Sequence, residues 1–303
     1  PDVGGTVVTV GTFDGVHLGH RAVLEEIELR ARRRGLRSVL VTFDRHPLTV
    51  VRPEDSPDLL TTPDEKKAIL AQTGLDYVAF LPFTPALSRY TPDQFIRLVL
   101  LDRFRVEELV IGWDHGFGRS RSGSIDTARQ LGGELGFAVD VVPAVTSGER
   151  NVSSTSIRSR LRAGDVEEAR RQLGRPYSFR GPVVHGLGRG RGLGFPTANI
   201  RAPAGRKLLP KAGIYAVRAS LQTEIRDGLL HLGPRPTFVG SPPSIELYLL
   251  DFDRDIYGQD IQVDFLTRLR DVEPFATAAE LIAQMQRDRE RALAYFATEG
   301  LQD

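Results

Sequence analysis

The sequence predicts an α/β chain of two domains: a parallel, doubly wound sheet in residues 1–173, then an antiparallel β-barrel with a terminal helix in residues 174–303. Three observations carry this expectation. The 303 residues suit two domains of roughly 150 residues each. Apolar, β-branched runs alternate with amphipathic helical stretches through the first half, the rhythm of βαβ units. In the second half strands follow one another with Gly- and Pro-rich turns between them, and a single amphipathic helix closes the chain.

In the first half, Val7–Val10, Ser38–Phe43, Tyr77–Leu81, Leu109–Gly112 and Val139–Val142 read as strands. His17–Arg34 reads as a helix ended by Gly35. Thr62-Pro63-Asp64-Glu65 and Thr91-Pro92-Asp93-Gln94 are capping boxes with proline in the first helical position, and each announces a helix. Ser124–Gly136 is a further helix, and Val166–Leu173 a short last one, broken by Gly174-Arg175-Pro176. The domain boundary is expected there. Beyond it, Phe179–His185, Ile214–Leu221, Leu229–Leu232, Ile245–Asp251 and Ile261–Leu269 read as strands, and Ala278–Ala297 as the closing helix.

Composition excludes several classes. Hydrophobic content of 41% and charged content of 26% are ordinary for a globular protein. No run approaches the ~18 consecutive apolar residues of a membrane span. No secretory signal is visible, and a cytoplasmic protein is expected. The absence of cysteine excludes disulfides, thiolate metal sites and a cysteine nucleophile. A formal net charge of +1 makes no case for nucleic acid or an anionic membrane as partner. Only Lys66, Lys67, Lys207 and Lys211 of the 40 basic residues are lysines. Arginine's planar fork suits phosphate, although most of the arginines read as a surface bias.

The first strand runs into Gly11-Thr12-Phe13-Asp14-Gly15-Val16-His17-Leu18-Gly19-His20. Glycines let this turn close tightly, and the helix behind it aims free amides back at the turn, which makes an anion site. His17 and His20 are three apart and share a helix face, where two imidazoles can donate to charge building on a transferring phosphoryl group. Either histidine alone reads better as a cap or surface residue; the pair on such a turn reads as a site. Val152-Ser153-Ser154-Thr155-Ser156-Ile157-Arg158 offers hydroxyls, amides and a cation at another helix start, which suits a triphosphate but equally an ordinary N-cap.

In the second half, residues 186–194 hold five glycines and two arginines. No Walker or Rossmann spacing is present, so a phosphate-covering flap and an RNA contact fit the segment alike. Pro196-Thr197-Ala198-Asn199 follows, where a fixed turn can bring a hydroxyl and an amide onto one metal or phosphate. Along Ser244–Leu249, Ile245, Leu247 and Leu249 alternate with Glu246 and Tyr248. Glu246 is then placed to take a proton from an alcohol, or is simply an exposed strand carboxylate.

Together the glycine-flanked histidine pair, Thr42-Phe43-Asp44-Arg45-His46-Pro47, Gly112-Trp113-Asp114-His115-Gly116-Phe117-Gly118 and the Ser154–Arg158 segment resemble the adenylyltransferase module of bacterial bifunctional riboflavin kinase/FAD synthetases, within the HxGH nucleotidyltransferase superfamily. The Pro196–Asn199 box looks like the PTAN motif of riboflavin kinases, and family motifs recur in order from about residue 9 to residue 290. The resemblance implies a Rossmann-like HxGH domain followed by a riboflavin kinase barrel. It implies ATP-dependent phosphorylation of riboflavin to FMN, then adenylylation of FMN to FAD with release of pyrophosphate. Riboflavin, FMN and ATP are the implied substrates and Mg²⁺ the implied metal.

By that resemblance, His17, His20, Gly11, Asp14, Ser154, Thr155 and Arg158 serve the adenylyl-transfer ATP, and Gly188, Arg189 and Gly190 cover the kinase phosphates. Thr197 and Asn199 hold Mg²⁺ and ATP, and Glu246 is the general base on the ribityl hydroxyl. Asp114, Arg270 and Phe275 contact flavin. Many members carry Asn where Asp114 stands and Pro where Arg45 stands. Asp114 therefore keeps open an enzyme with one working half. A nucleotidyltransferase acting on another acceptor would not need Glu246 and the PTAN box, and an arginine-rich RNA binder sits poorly with the near-zero net charge.

Overall fold

In this computed structural model the described residues are 4–113, 118, 123–148, 150–186, 194–203, 205–234 and 244–299. The chain divides into two compact units, Pro1–Ser154 and Thr155–Asp303.

The first unit is built on five parallel strands, β1 (Thr6–Val10), β2 (Arg37–Phe43), β3 (Tyr77–Leu81), β4 (Val106–Gly112) and β5 (Ala138–Val142), in the order β3-β2-β1-β4-β5. Every residue of β1 is buried, as both faces of a covered parallel sheet require. Its order reverses between β1 and β4, so the carboxyl end of β1 opens at a topological switch point, where open α/β sheets bind ligands.

Helix α1 (Leu18–Arg34) buries Val23, Leu24, Ile27 and Ala31 against the sheet and ends at Gly35 in the left-handed region (φ 66°). Short α2 (Leu48–Val51) follows β2. Helix α3 (Pro63–Leu70) begins with the expected capping box, the Glu65 amide donating to Thr62 Oγ1 (3.2 Å) and the Thr62 amide to Glu65 Oε2 (2.9 Å). The Thr91–Gln94 box also forms, but its helix is not regular: α4 (Pro92–Phe95) passes through a π-helical stretch, Ile96–Leu101, into α5 (Asp102–Phe104). The wider turn buries Ile96, Val99 and Leu100 together in the core, a tertiary demand that overrides the local α signal. Helix α6 (Ile125–Leu135) precedes β5, and β6 (Thr146–Ser147) and β7 (Arg150–Asn151) form a small antiparallel pair.

Helix α7 (Ser154–Ala163) spans the division between the units. In the second unit α8 (Val166–Leu173) precedes a closed six-stranded antiparallel barrel: β8 (Tyr177–Val184), β9 (Ala198–Ile200), β10 (Gly213–Ser220), β11 (Ile225–Gly233), β12 (Ser244–Leu249) and β13 (Asp260–Arg270), closed in the order β10-β11-β12-β9-β8-β13. The sequence reading anticipated five of these. The sixth, β9, is three residues long and overlaps the end of the Pro196–Asn199 box, too short for alternation to reveal. It closes the barrel between β8 and β12. Phe179, Tyr215 and Phe265 fill the interior with no exposure, Tyr215 meeting Phe265 edge to face at 5.1 Å.

The terminal helix α9 (Ala278–Glu299) packs Ala292, Tyr295 and Phe296 over Ile214, Ala216 and Leu229 of β10 and β11. It is locked there by Asp288, 2% exposed, which accepts from Arg270 Nε and Nη2 at 3.0 and 2.8 Å. Such a pair is costly to break from one side, because the surviving charge stays buried. Asp288→Ala should therefore destabilise the second unit by roughly 3 kcal/mol, read as a lowered denaturant midpoint for Tyr and Phe signals of the barrel.

Candidate functional sites at the first strand end and on the barrel wall

After β1 the chain makes a strained loop. Phe13, Gly15 and Val16 all have positive φ, at 49°, 84° and 40°. For a β-branched valine this is an outlier, held only where the surroundings leave no alternative. The surroundings are specific. Phe13 and Val16 are buried in the core beneath α1. The Asp14 carboxylate, 5% exposed, accepts from the amides of Leu60 and Thr61 (3.0 Å each) and from Thr61 Oγ1 (3.2 Å), and Thr61 Oγ1 in turn accepts from the Gly15 amide (3.1 Å). Asp14 therefore organises the turn; its carboxylate is turned into protein.

The loop delivers His17 as the N-cap of α1. His17 Nδ1 accepts from the His20 amide at 3.3 Å. A ring nitrogen that accepts carries a lone pair, so the neutral imidazole holds its proton on Nε2, which is then the donor. The His17 and His20 rings stack at 3.6 Å and 15°, and Phe13 backs His20 at 4.6 Å. Ser154 Oγ donates to the Asp14 carbonyl (2.9 Å), and the Val152 carbonyl lies 3.7 Å from where a Cβ on Gly19 would stand. The turn, both histidines and the start of the Ser154–Arg158 segment thus meet at one strand end. Gly11 donates its amide to the Val41 carbonyl (3.1 Å), and a Cβ there would meet the Phe13 ring at 2.9 Å. Thr155 is exposed and Arg158 buried on α7, in the second unit. Asp114 lies outside the described residues, beyond β4 and the exposed Trp113.

On the barrel, β12 alternates as expected, with Ile245, Leu247 and Leu249 buried and Glu246 on the other face. In register, Glu246 stands between Asn199 of β9 and His231 of β11, and directly opposed residues share a face. Glu246 Oε2 accepts from Thr197 Oγ1 (3.3 Å) and Oε1 from Ser244 Oγ (2.9 Å). His231 Nδ1 lies 4.0 Å from Oε1, and its Nε2 is 3.0 Å from the Pro234 carbonyl. Gly186 packs closely beside them: a Cβ there would meet Asn199 Nδ2 at 2.0 Å, so any larger residue would displace the Asn199 side chain. Phe195 packs against Tyr248 at 5.3 Å, which pins the Pro196–Asn199 box to the Glu246 face.

Thr197 and Asn199 thus come beside Glu246, and their hydroxyl, amide and carboxylate oxygens suit a hard divalent cation that completes its shell with phosphate and water. Among the described residues no cluster of three His, Asp or Glu forms a cage for a metal by itself. Gly188, Arg189 and Gly190 lie outside the described residues. Arg270 stands with its guanidinium 5.7 Å from the Phe275 ring centre, but its donors are committed to Asp288 and to the Asp271 carbonyl.

Motif reading missed Thr61, Lys66, His231 and Ser244. For Lys66 the one available signal was helical phase, since it shares the buried face of α3 with Leu70. For His231 it was the alternation of Leu230 and Leu232; the pairing with Glu246 depends on strand register.

A strained, anion-ready turn at a switch point and a carboxylate beside an oxygen-donor box on a closed barrel define a two-domain transferase acting on phosphate groups. Residues 1–156 match the family model for FAD synthetase, and residues 173–296 that for riboflavin kinase. The chain belongs to the family of bifunctional riboflavin kinase/FMN adenylyltransferases. It is 37% identical over 294 residues to the member from Listeria monocytogenes, covering 96% of this chain and 92% of that protein. To the Escherichia coli K12 member it is 36% identical over 293 residues, covering 96% and 93%. A crystal structure described as a macrolide-efflux protein from Streptococcus pneumoniae superposes with a TM-score of 0.85 at 31% identity, over 95% of both chains. That description concerns the pneumococcal protein; among the described residues here no helix is long and apolar enough to cross a membrane.

Asp14→Ala should release the 60–61 segment. Amide exchange at Leu60 and Thr61 is expected to quicken in step with a local cost of about 2 kcal/mol; unchanged exchange would remove Asp14 from this role.

Proposed function

We propose that the two activities of this family are divided between the sites just described, with riboflavin phosphorylated on the barrel wall and FMN adenylylated at the end of β1. The chain is a bifunctional riboflavin kinase and FMN adenylyltransferase. The observation that carries the kinase assignment is the convergence of Thr197 and Asn199 on Glu246. Glu246 takes the proton of the ribityl 5′-hydroxyl as that oxygen attacks the γ-phosphorus of ATP, and ADP leaves. The Ser244 and Thr197 hydroxyls hold the carboxylate in place before proton transfer. Thr197 and Asn199 hold Mg²⁺, which when bound neutralises phosphate charge. Gly188, Arg189 and Gly190 cover the phosphates.

In the first unit an FMN phosphate oxygen attacks the α-phosphorus of a second ATP, and pyrophosphate leaves. His17 donates through Nε2–H to the developing charge, and His20, stacked between His17 and Phe13, donates beside it. No nucleophile of the protein is needed, because positioning and electrostatics carry such transfers. Ser154, Thr155 and Arg158 bind the triphosphate, with Gly11 allowing its close approach and Asp14 shaping the turn. Asp114 contacts the flavin of FMN. Phe275 contacts riboflavin, held by Arg270 through the pair with Asp288. The functional boundary is placed at Gly174, the left-handed residue that ends α8. A cytoplasmic setting fits the cysteine-free composition.

A chromatographic time course with riboflavin, ATP and Mg²⁺ tests the whole reading: FMN should rise first and FAD after it. His20→Ala should stop FAD formation while FMN accumulates, with a loss of roughly a hundredfold or more in adenylylation. Glu246→Ala should stop FMN formation while supplied FMN still becomes FAD. Loss of both activities from either change in a folded chain would rule out two separate sites.

A further inference from the structure

Lys66 on α3 is a buried lysine at the catalytic turn, 9% exposed, and no motif claims it. Its ammonium donates to the Thr12 carbonyl (3.2 Å), to Thr42 Oγ1 (3.3 Å) and to the Phe43 carbonyl (2.9 Å). Those contacts use all three of its donors on protein acceptors. Thr42 Oγ1 also donates to the Thr12 carbonyl, at 3.2 Å. Thr12 lies in the turn between β1 and His17, whereas Thr42 and Phe43 end β2. One cation therefore ties the strained turn to the neighbouring strand, while Asp14 ties it to residues 60 and 61. A charge so deeply buried is rare and carries a desolvation cost that an apolar side chain of the same length would avoid.

We propose that Lys66 is a positioning residue for adenylyl transfer, its ammonium clamping the Gly11–Val16 turn to the end of β2 so that the His17 and His20 rings stand where the α-phosphate reacts. This rests on the adenylyl-transfer reading of the histidine pair. The clamp has a built-in pH limit. Burial pushes the Lys66 ammonium down to about 8, against the pull of Asp14 and Asp44. Asp14 faces it from the turn. Asp44 faces it from the end of β2, beside Arg45 at 3.5 Å and accepting from the Phe83 amide. Strand β3 presents the Phe80 ring, which Lys66 shares with Lys67 of the same helix, at 5.4 and 5.9 Å. Because the folded value lies below the ordinary one, the ammonium is intact at neutral pH and is lost as pH rises through about 8.

The test measures kcat and KM for conversion of supplied FMN to FAD between about pH 6 and about pH 10, in the full-length wild type and Lys66→Met. Riboflavin phosphorylation in the same samples reports that the chain is intact. The wild-type kcat for FAD formation should fall as pH rises through about 8, with KM for FMN and ATP little changed. Lys66→Met should lower that kcat at neutral pH by roughly tenfold to a hundredfold, lose the alkaline limb and leave phosphorylation unaffected. A variant with the wild-type kcat and pH profile overturns the clamp. Should the variant fail to fold, ¹³C-lysine NMR of the wild type decides, since the chain has only four lysines. A resonance titrating near 8 together with kcat sustains the proposal, and all four titrating near 10.5 overturn it. A wild type that forms no FAD at any pH removes the adenylyl-transfer reading, and this proposal with it.

Discussion

Backbone pairing in the strands places the candidate site residues of both units, because a main-chain N–H or C=O buried without a partner is too costly to tolerate. In the first unit parallel pairing sends every connection over a face of the sheet and leaves the carboxyl ends of β1, β2 and β4 side by side. The turn that bears His17 and His20 begins at one of those ends. In the second unit closure of the barrel needs β9 between β8 and β12. That short strand is what carries Asn199 beside Glu246 and Thr197 within hydrogen-bond reach of it.

The turn before His17 is conformationally expensive. Positive φ at Phe13 and Val16 represents a cost of order 1–3 kcal/mol each. The opposing contributions are of several kinds: burial of Phe13 and Val16, charge-assisted bonds to Asp14, the Ser154 hydroxyl on the Asp14 carbonyl, and the Lys66 ammonium on Thr12. Two charges of opposite sign, both buried, hold one loop to different neighbours. Neither side chain has to meet a substrate for the geometry of the histidines to depend on it.

In the proposed assignment the two sites work on phosphate by different electrostatic means. At the strand end the protein offers donors: imidazole Nε2–H, hydroxyls and helix amides, all suited to stabilise charge already present on the reacting groups. On the barrel wall it offers an acceptor, since an alcohol must lose a proton to become a nucleophile, and Glu246 stands with two hydroxyl donors of its own. His231 lies on the other neighbouring strand, 4.0 Å from that carboxylate, so Glu246 is flanked from both sides.

Much of this was written in the sequence. The alternation of β12, the capping boxes at Thr62 and Thr91, and the Gly-flanked histidine pair are local signals, because side-chain direction and cap geometry depend on residues within a turn or two of one another. They determined the class of each unit and the approximate position of the strands and helices. The clustering of Glu246 with Thr197, the pairing of Glu246 with His231, the commitment of Arg270 to Asp288 and the inward turn of Asp14 and Lys66 are all long-range. A carboxylate or an ammonium reads the same in a sequence whether it faces solvent or holds a buried turn. Only strand register and the packing of α3 and α9 decided which of these it does, because those bring together groups separated by tens of residues.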